Sequence, residues 1–528
     1  MRARRTFSCL CLVLVAVGAA CAHYRPARFA AHPPVTDAHD DGPIPIPRWR
    51  WIPEPVYLSE VYLHRPLRET LDLSPRPEAA DVNSFDEVPR STWYAPPAVD
   101  VGAMARGPDS PGLPRAPFTV LAEPPFGFSS GAFLISDSRG YRYEIAVDVQ
   151  DRPEMRTAAA AIGARLVWAL GIPTAPVSII KVNAEDFWRS EGSTREVAEI
   201  LKSGSPPVLG YYRVAALSWP PGVLLGYAPE SGVRGDDPND LIPHENRRTL
   251  RALKVFASWM ALDGLGPAKT VDRYVGAPGE GHVVHYFVGL DEALGTSAVV
   301  RTTDPPPGEG GGSPFVRLLT LGLARNPAPA PTQIEVPAVG QLENDLDPGG
   351  FAPPLPYEPA DRLQAADGYW AAKRIAPLSP AHIALAIDAG KISDRRAQRT
   401  IQLALEARRK KVLAYWFDRV TPIELLAVLG SKVALRDEAV HWGLVPPDVT
   451  DYRIDFLTGG GERIGAPIVL HPRAASVVLT LPVASIDAAR DYLVMQITAR
   501  RGKRILPRAF ELHLKMGGDK LVVLGIRH

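Results

Sequence analysis

The 528-residue sequence predicts an α+β protein in which helical and β-rich regions are segregated along the chain. Three observations carry that prediction. Short apolar runs with two-residue alternation gather near 115–150 and again after about 440. Runs with helical periodicity occupy 154–171, 243–264 and 379–420. Between them lie many of the 54 prolines, roughly twice the usual share of about 5%, so long irregular connections are expected. A hydrophobic content of 46% and a charged content of 22% are ordinary for globular chains, and the length suits several domains.

The first 22 residues have the pattern of an export leader: Arg2, Arg4 and Arg5 precede the apolar "FSCLCLVLVAVGAA", too short to span a bilayer comfortably. Removing the leader leaves 56 of the 59 basic residues against 58 acids, a net of −2 that gives no electrostatic reason to expect nucleic acid. All three cysteines, Cys9, Cys11 and Cys21, fall in this leader or at its end, so the body has no disulfide, thiolate metal site or cysteine nucleophile. "GAAC" at 18–21 resembles the bacterial lipobox, with Gly18 where leucine is usual. That resemblance implies a lipid on Cys21 and an exported protein anchored to a membrane, in the periplasm or at the outer membrane; two acyl chains hold stably where one does not. Cleavage after "ACA" at 20–22 is the alternative, and would release the chain.

Residues 23–60 are proline-rich and read as a tether. The region 61–185 reads as β-rich, with a meander from "FTVLAEPPF" (118–126), "AFLISDS" (132–138) and "YRYEIAVDV" (141–149); in the last, Tyr143, Ile145 and Val147 share a face. "EMRTAAAAIGARLVWALG" (154–171) reads as a helix ending at Gly171. The region 186–430 reads as mainly helical, with a Pro/Gly-rich insertion at 303–360. Its long helix is "PHENRRTLRALKVFASWMALDG" (243–264), with Leu250, Leu253, Ala257 and Met260 as the buried stripe, followed by strands at 271–276 and 282–290. Residues 440–528 read as a small β-sandwich.

"RGDDPNDLIPHENRR" (234–248) is the densest polar run. A zinc-protease motif would need a histidine four residues after His244, where Arg248 stands. The run therefore reads as a turn and helix cap, a polar clasp or binding site formed by Arg234, Asp236, Asp237, Asn239, Asp240, His244, Glu245 and Arg248. Arg234, Arg247 and Arg248 are expected to pair with Asp236, Asp237 or Asp240. "EARRKKVLAY" (406–415) reads as a solvated helix face with Glu406 and Lys410 paired. His282 and His285 fall on opposite faces of a strand and so share no metal. "GFSSG" (127–131) reads as a hairpin turn, the alternative being a loop over a phosphate.

Four stretches, "DVNSFDEVPRSTWY" (81–94), "RGDDPNDLIPHENRRTLRALKVFASW" (234–259), "HYFVGLDEALG" (285–295) and "DGYWAAKRI" (367–375), are similar to those of a family of bacterial envelope lipoproteins. The order of elements also resembles a two-lobed, protein-kinase-like domain, akin to HipA-type and spore-coat-type kinases. The resemblance implies five catalytic positions. Ala146 in "YEIAVD" stands for the strand lysine, and Ala160 in "AAAAI" for the helix glutamate. In "WMALDGLGPAKTVD", Gly264 stands for the catalytic aspartate and Lys269 for the magnesium-binding asparagine; in "HYFVGL", Gly289 stands for the metal aspartate. Asp263 lies one residue early and Asp291 two residues late.

These substitutions predict a catalytically degenerate domain with no cofactor, acting as a binding or scaffold protein toward an envelope protein or glycan. Two alternatives are an active phosphotransferase using Asp263 or Asp291, and a carbohydrate- or peptidoglycan-binding protein with Trp93, Trp259 and Trp370 along an open groove.

Overall fold

The computed structural model describes residues 28–71, 76–97, 99–123, 125–128, 131–188, 194–297, 336–342 and 346–528. The leader, Cys21 and most of the 303–360 insertion lie outside them. The chain divides into two compact units, a larger one of residues 35–83 and 87–419 and a smaller one of residues up to 34, 84–86 and 420–528. The protein combines helices with antiparallel sheets, as its α+β patterning predicts.

The larger unit opens with an extended segment, then α1 (Glu54–Ser59), a π-helical turn (Glu60–His64) and α2 (Arg65–Leu71). The strands β1 (Phe118–Leu121), β2 (Ala132–Ser136) and β3 (Arg142–Val147) form the expected antiparallel meander. Helix α3 (Met155–Ala169) follows and ends before Gly171. Next come β4 (Val177–Val182), β5 (Phe187–Trp188), α4 (Thr194–Ser203) and β6 (Tyr212–Ser218), completing a sheet in the order β4-β6-β3-β2-β1-β5. Tyr143, Ile145 and Val147 share one apolar cluster with Phe118, Phe133 and Val214. The intervening Ala146 packs on the opposite face with Ala160 and Ala161 of α3. The alanine run thus serves close approach: small side chains let the helix lie against the sheet without a cavity.

Strand β7 (Val223–Tyr227) pairs with β8 (Thr270–Val275) and β9 (His282–Phe287) in a second, three-stranded sheet. Helix α5 (Arg248–Met260) precedes β8 and is shorter than the sequence predicts. His244–Asn246 form a separate 3₁₀ turn, and Ala261 at φ 49° ends the helix. All its residues except Lys254 are buried, including the predicted Leu250, Leu253, Ala257 and Met260. Helices α6 (Ala365–Ile375) and α8 (Arg395–Phe417) pack beside it, the indole of Trp259 donating to the Leu405 carbonyl at 3.0 Å, while α7 (Pro380–Ala389) packs on α3 and α8. On α8, the Glu406 carboxylate accepts from Gln402 at 2.8 Å, so the helix face is laced one turn earlier than the Glu406–Lys410 pairing predicts.

The smaller unit contains β10 (Ile423–Leu429), β11 (Lys432–Asp437), β12 (Thr450–Thr458), β13 (Ile468–Leu470), β14 (Ser476–Thr480), β15 (Leu493–Arg501), β16 (Arg504–Ile505), β17 (Phe510–Gly517) and β18 (Lys520–Arg527). They form a sheet β10-β11-β14 and a sheet β13-β12-β15-β17-β18 with β16 beside β15. Val433, Leu435 and Leu479 of the first share one core with Tyr452, Phe456, Met495 and Phe510 of the second. Residues 28–30 belong here as well: Phe29 sits edge-on to His513 at 4.8 Å, and the backbone N–H groups of Arg28 and Phe29 donate to the Tyr492 hydroxyl.

Three expectations need correction. Residues 35–53 are held to the larger unit rather than free: Ile44 is buried and exchanges backbone pairing with Gly281, Arg50 pairs with Gly226, and Asp37 pairs with Arg90. A proline-rich extended chain leaves its remaining backbone groups available, and here they find partners. The region expected to be β-rich from 61 begins in helix. The β-rich C-terminal region begins at Ile423, because "ELLAVLGSKVALRD" is a hairpin turned at Gly430 (φ 59°) and not a continuation of the helices.

Candidate functional site

Two places collect the residues that the sequence singles out. The first is where the kinase-like resemblance puts its catalytic positions. Gly264, Lys269 and Gly289 come together in space. A Cβ on Gly289 would lie 2.5 Å from Lys269 Nζ, and one on Gly264 would lie 2.8 Å from Lys269 Cε and 2.2 Å from Glu292 Oε2. The Lys269 ammonium pairs with Glu292 at 2.8 Å. The space that two aspartate side chains would need is therefore filled by a lysine–glutamate pair. Gly289 is confined a second time by its backbone, at φ 72°, where a non-glycine residue is strained.

The hairpin loop between β1 and β2 closes over this point. The Gly289 N–H donates to the Gly127 carbonyl at 2.9 Å. The Phe126 and Gly127 N–H groups donate to the two oxygens of Glu144 at 2.8 and 2.7 Å, and the Trp219 indole adds a third bond at 2.6 Å. Burial raises the Glu144 carboxyl above its usual range, and these three donors oppose the rise. Phe128 joins Ala146 and Ala160 in one apolar cluster. The lysine and glutamate positions of the resemblance thus meet in space, as two alanines beneath a phenylalanine. Residues 129 and 130 of "GFSSG" lie outside the described residues.

The two displaced acids are engaged. Asp291 is buried and receives both Nε and Nη2 of Arg156, at 2.8 and 2.7 Å. Asp263 accepts from the Ser297 hydroxyl at 3.0 Å. Among the described residues no three His, Cys, Asp or Glu side chains gather as a metal site. Gly289→Asp, which restores the motif residue, is expected to lower stability by roughly 1–3 kcal/mol through backbone strain and to bring no magnesium-dependent stabilisation. Thermal melting with and without magnesium checks both; an unchanged melt would contradict the packing described.

The second place is the 234–248 run, which forms a buried charge network. Asp240 is its hub. It accepts from the Arg234 N–H at 2.6 Å, His244 Nε2 at 2.8 Å and Arg247 Nη2 at 2.7 Å. The Arg234 guanidinium, fully buried, crosses to Asp272 on β8 at 2.7 Å, and Asp272 also bonds His285 Nδ1 at 2.6 Å. Trp93 lies between the two imidazoles, stacked on His285 at 3.8 Å and edge-on to His244 at 4.7 Å. Burial pushes the Asp240 and Asp272 carboxyls up, but the facing cations and hydrogen bonds outweigh it, holding Asp240 well below the usual range and lowering Asp272 too. Asp237, also buried, moves the other way: burial dominates, and the Asn239 N–H that donates to it at 2.9 Å only partly opposes the rise.

The other predicted members tie down the flanking chain. Asp236 accepts from the Arg48 N–H at 2.8 Å, Asn239 donates to the Gly42 carbonyl at 2.7 Å, and Glu245 accepts from the Gly232 N–H at 2.8 Å. Arg248 departs from the expected pairing. Its guanidinium meets Asp367 at 3.1 Å, and its N–H donates to Asp81, because it points along α5 toward α6 and away from the turn. Asp272, His285, Glu144 and Glu292 escaped the sequence reading. The available signal was an acid placed inside an apolar strand, as in "TVDRYV" and "RYEIAV", where a buried charge demands a partner. His282 and His285 do fall on opposite faces, half-buried and buried respectively. Trp93, Trp259 and Trp370 are buried in the core and line no open groove.

No protein-family model matches the chain, and no curated protein matches its sequence. Among the described residues no helix is long and apolar enough to cross a membrane.

Proposed function

We propose that this protein is a lipid-anchored bacterial envelope protein whose larger unit is a two-lobed, kinase-like domain without catalysis, followed by a C-terminal β-sandwich, and that it acts by binding or scaffolding. The Lys269–Glu292 pair carries this reading. It fills the space between Gly264 and Gly289, where the resemblance asks for a catalytic and a metal-binding aspartate. Phosphoryl transfer is positioning plus electrostatic stabilisation, so losing the lysine and both metal ligands removes the chemistry itself.

The element order supports the kinase-like part: a meander of three strands, a helix on the sheet, a long helix, a strand pair and a turn at Gly289. The shared core of the two C-terminal sheets supports the sandwich. The Arg156–Asp291 pair weighs against an active enzyme using displaced acids, since Asp291 would have to give up its two short contacts with a buried arginine to take a metal. A transfer assay with γ-labelled ATP and magnesium, using envelope extract as acceptor, is expected to show no label moved. Transfer that is abolished by Asp263→Ala or Asp291→Ala would replace this reading with the active phosphotransferase.

A further inference from the structure

We propose that Trp49 and Trp51 form a binding platform for a neutral pyranose glycan chain. The proposal does not depend on the degenerate chemistry, although Trp51 lies 6.4 Å from Phe126 of the β1–β2 connection. The sequence "RWRW" (48–51) puts the two indoles on one side of an extended segment, since alternate residues share a face. Both are more than half exposed, at 55% and 51%. Their rings lie parallel, within 2°, with centroids 6.1 Å apart.

The backbone that carries them is fixed. The Arg48 N–H donates to Asp236 at 2.8 Å, the Arg48 carbonyl accepts from the fully buried Arg234, and the Arg50 N–H donates to the Leu225 carbonyl at 2.8 Å. Gly226, at φ 89°, lets the Arg50 carbonyl approach to 1.8 Å from where a Cβ would stand. Trp51 also leans on Tyr227 at 5.4 Å. Two large apolar rings are therefore held out in water on a rigid support. Preorganisation of that kind lowers the ordering cost of binding.

The chemistry around the rings selects the occupant. An aromatic face carries negative quadrupole charge and attracts the C–H face of a sugar ring. Arg50, between the two indoles in sequence, falls on the other side of the segment and faces Asp236 there at 3.4 Å, which balances its charge. Residues 35–53 carry Asp37, Asp40 and Asp41 against Arg48 and Arg50. That balance lacks the excess of basic residues that anionic lipid or nucleic acid would require.

The test is a tryptophan-fluorescence titration of the full chain with chitotetraose and cellotetraose, with co-sedimentation on isolated peptidoglycan sacculi. Vesicles containing phosphatidylglycerol and a single-stranded polynucleotide form the comparison arms. At least one glycan is expected to bind saturably, and Trp49→Ala and Trp51→Ala each to weaken it by about tenfold or more. Trp49→Ala, at a side chain more than half exposed, should melt as the wild type does, which separates lost binding from lost folding. No saturable binding to any glycan, equal binding by both variants, or binding to vesicles or polynucleotide alone would overturn the proposal.

Discussion

Asp272→Ala is expected to destabilise the larger unit by about 3–5 kcal/mol, the usual cost of removing one partner from a buried charge pair. The carboxylate is wholly buried and takes Arg234 on one oxygen and His285 on the other. Removing it strands an arginine that is itself fully buried, and that arginine also holds Asp236 and the Arg48 carbonyl. On an unfolding entropy of roughly 2 cal/mol/K per residue, the loss corresponds to a melting shift of about 4–6 °C in a unit of this size. Because the Asp272 and Asp240 carboxyls are held below their usual range, their contribution is present above about pH 4 and is lost as pH falls through the depressed values. Asp272→Ala should therefore melt differently from wild type at neutral pH and converge on it in strong acid. A neutral-pH shift under a degree would show that the network contributes nothing.

Glu230 predicts the opposite dependence. It is buried, and one of its oxygens has no hydrogen-bond donor although Arg65 of α2 stands 3.7 Å away. Burial first, and the neighbouring Glu358 charge, raise its carboxyl from 4.5 to about 7, with Arg65 opposing. The Tyr57 hydroxyl at 3.3 Å, Asp361 on Arg65 at 2.8 Å and Tyr357 complete the group. An acid raised in the folded state keeps a proton that the unfolded chain has released. Stability is then full below about pH 4.5, falls as pH rises toward 7 and levels off above it. The span is on the order of 3 kcal/mol. Glu230→Gln cannot ionise, so it should be more stable than wild type at pH 8 and lack this component of the slope. Hydrogen exchange across α1 and α2 should slow accordingly in the variant. Identical wild-type and variant profiles from pH 5 to 8 would remove Glu230 from the account.

What was legible in the sequence follows from the range over which each signal acts. The β1–β3 meander and helix α3 announce themselves within a dozen residues, through alternation and through the alanine run ending at Gly171. The polar run 234–248 was visible as a dense cluster, and Arg234, Asp240, His244 and Arg247 do bond one another. Asp272 and His285 were not: Asp272 is marked locally only as an acid inside an apolar strand, and the partners of both come from other elements. The 35–53 segment read as a tether because isolated bridges such as Ile44 with Gly281 leave no periodicity. The five positions named from resemblance are the intermediate case: Ala146 meets Ala160, and Gly264, Lys269 and Gly289 meet one another. The glutamate that completes the second group, Glu292, had no place in the motif.

We propose that the place where Gly264, Lys269 and Gly289 meet holds no magnesium-nucleotide site. The most direct measurement is a thermal-shift titration of the full chain with ATP, with and without magnesium. No magnesium-dependent stabilisation is expected, because Lys269 is already paired with Glu292 and the two protein oxygen ligands that the resemblance places at 269 and 289 are gone. A magnesium-dependent rise of several degrees, lost in Asp263→Ala or Asp291→Ala, would contradict it.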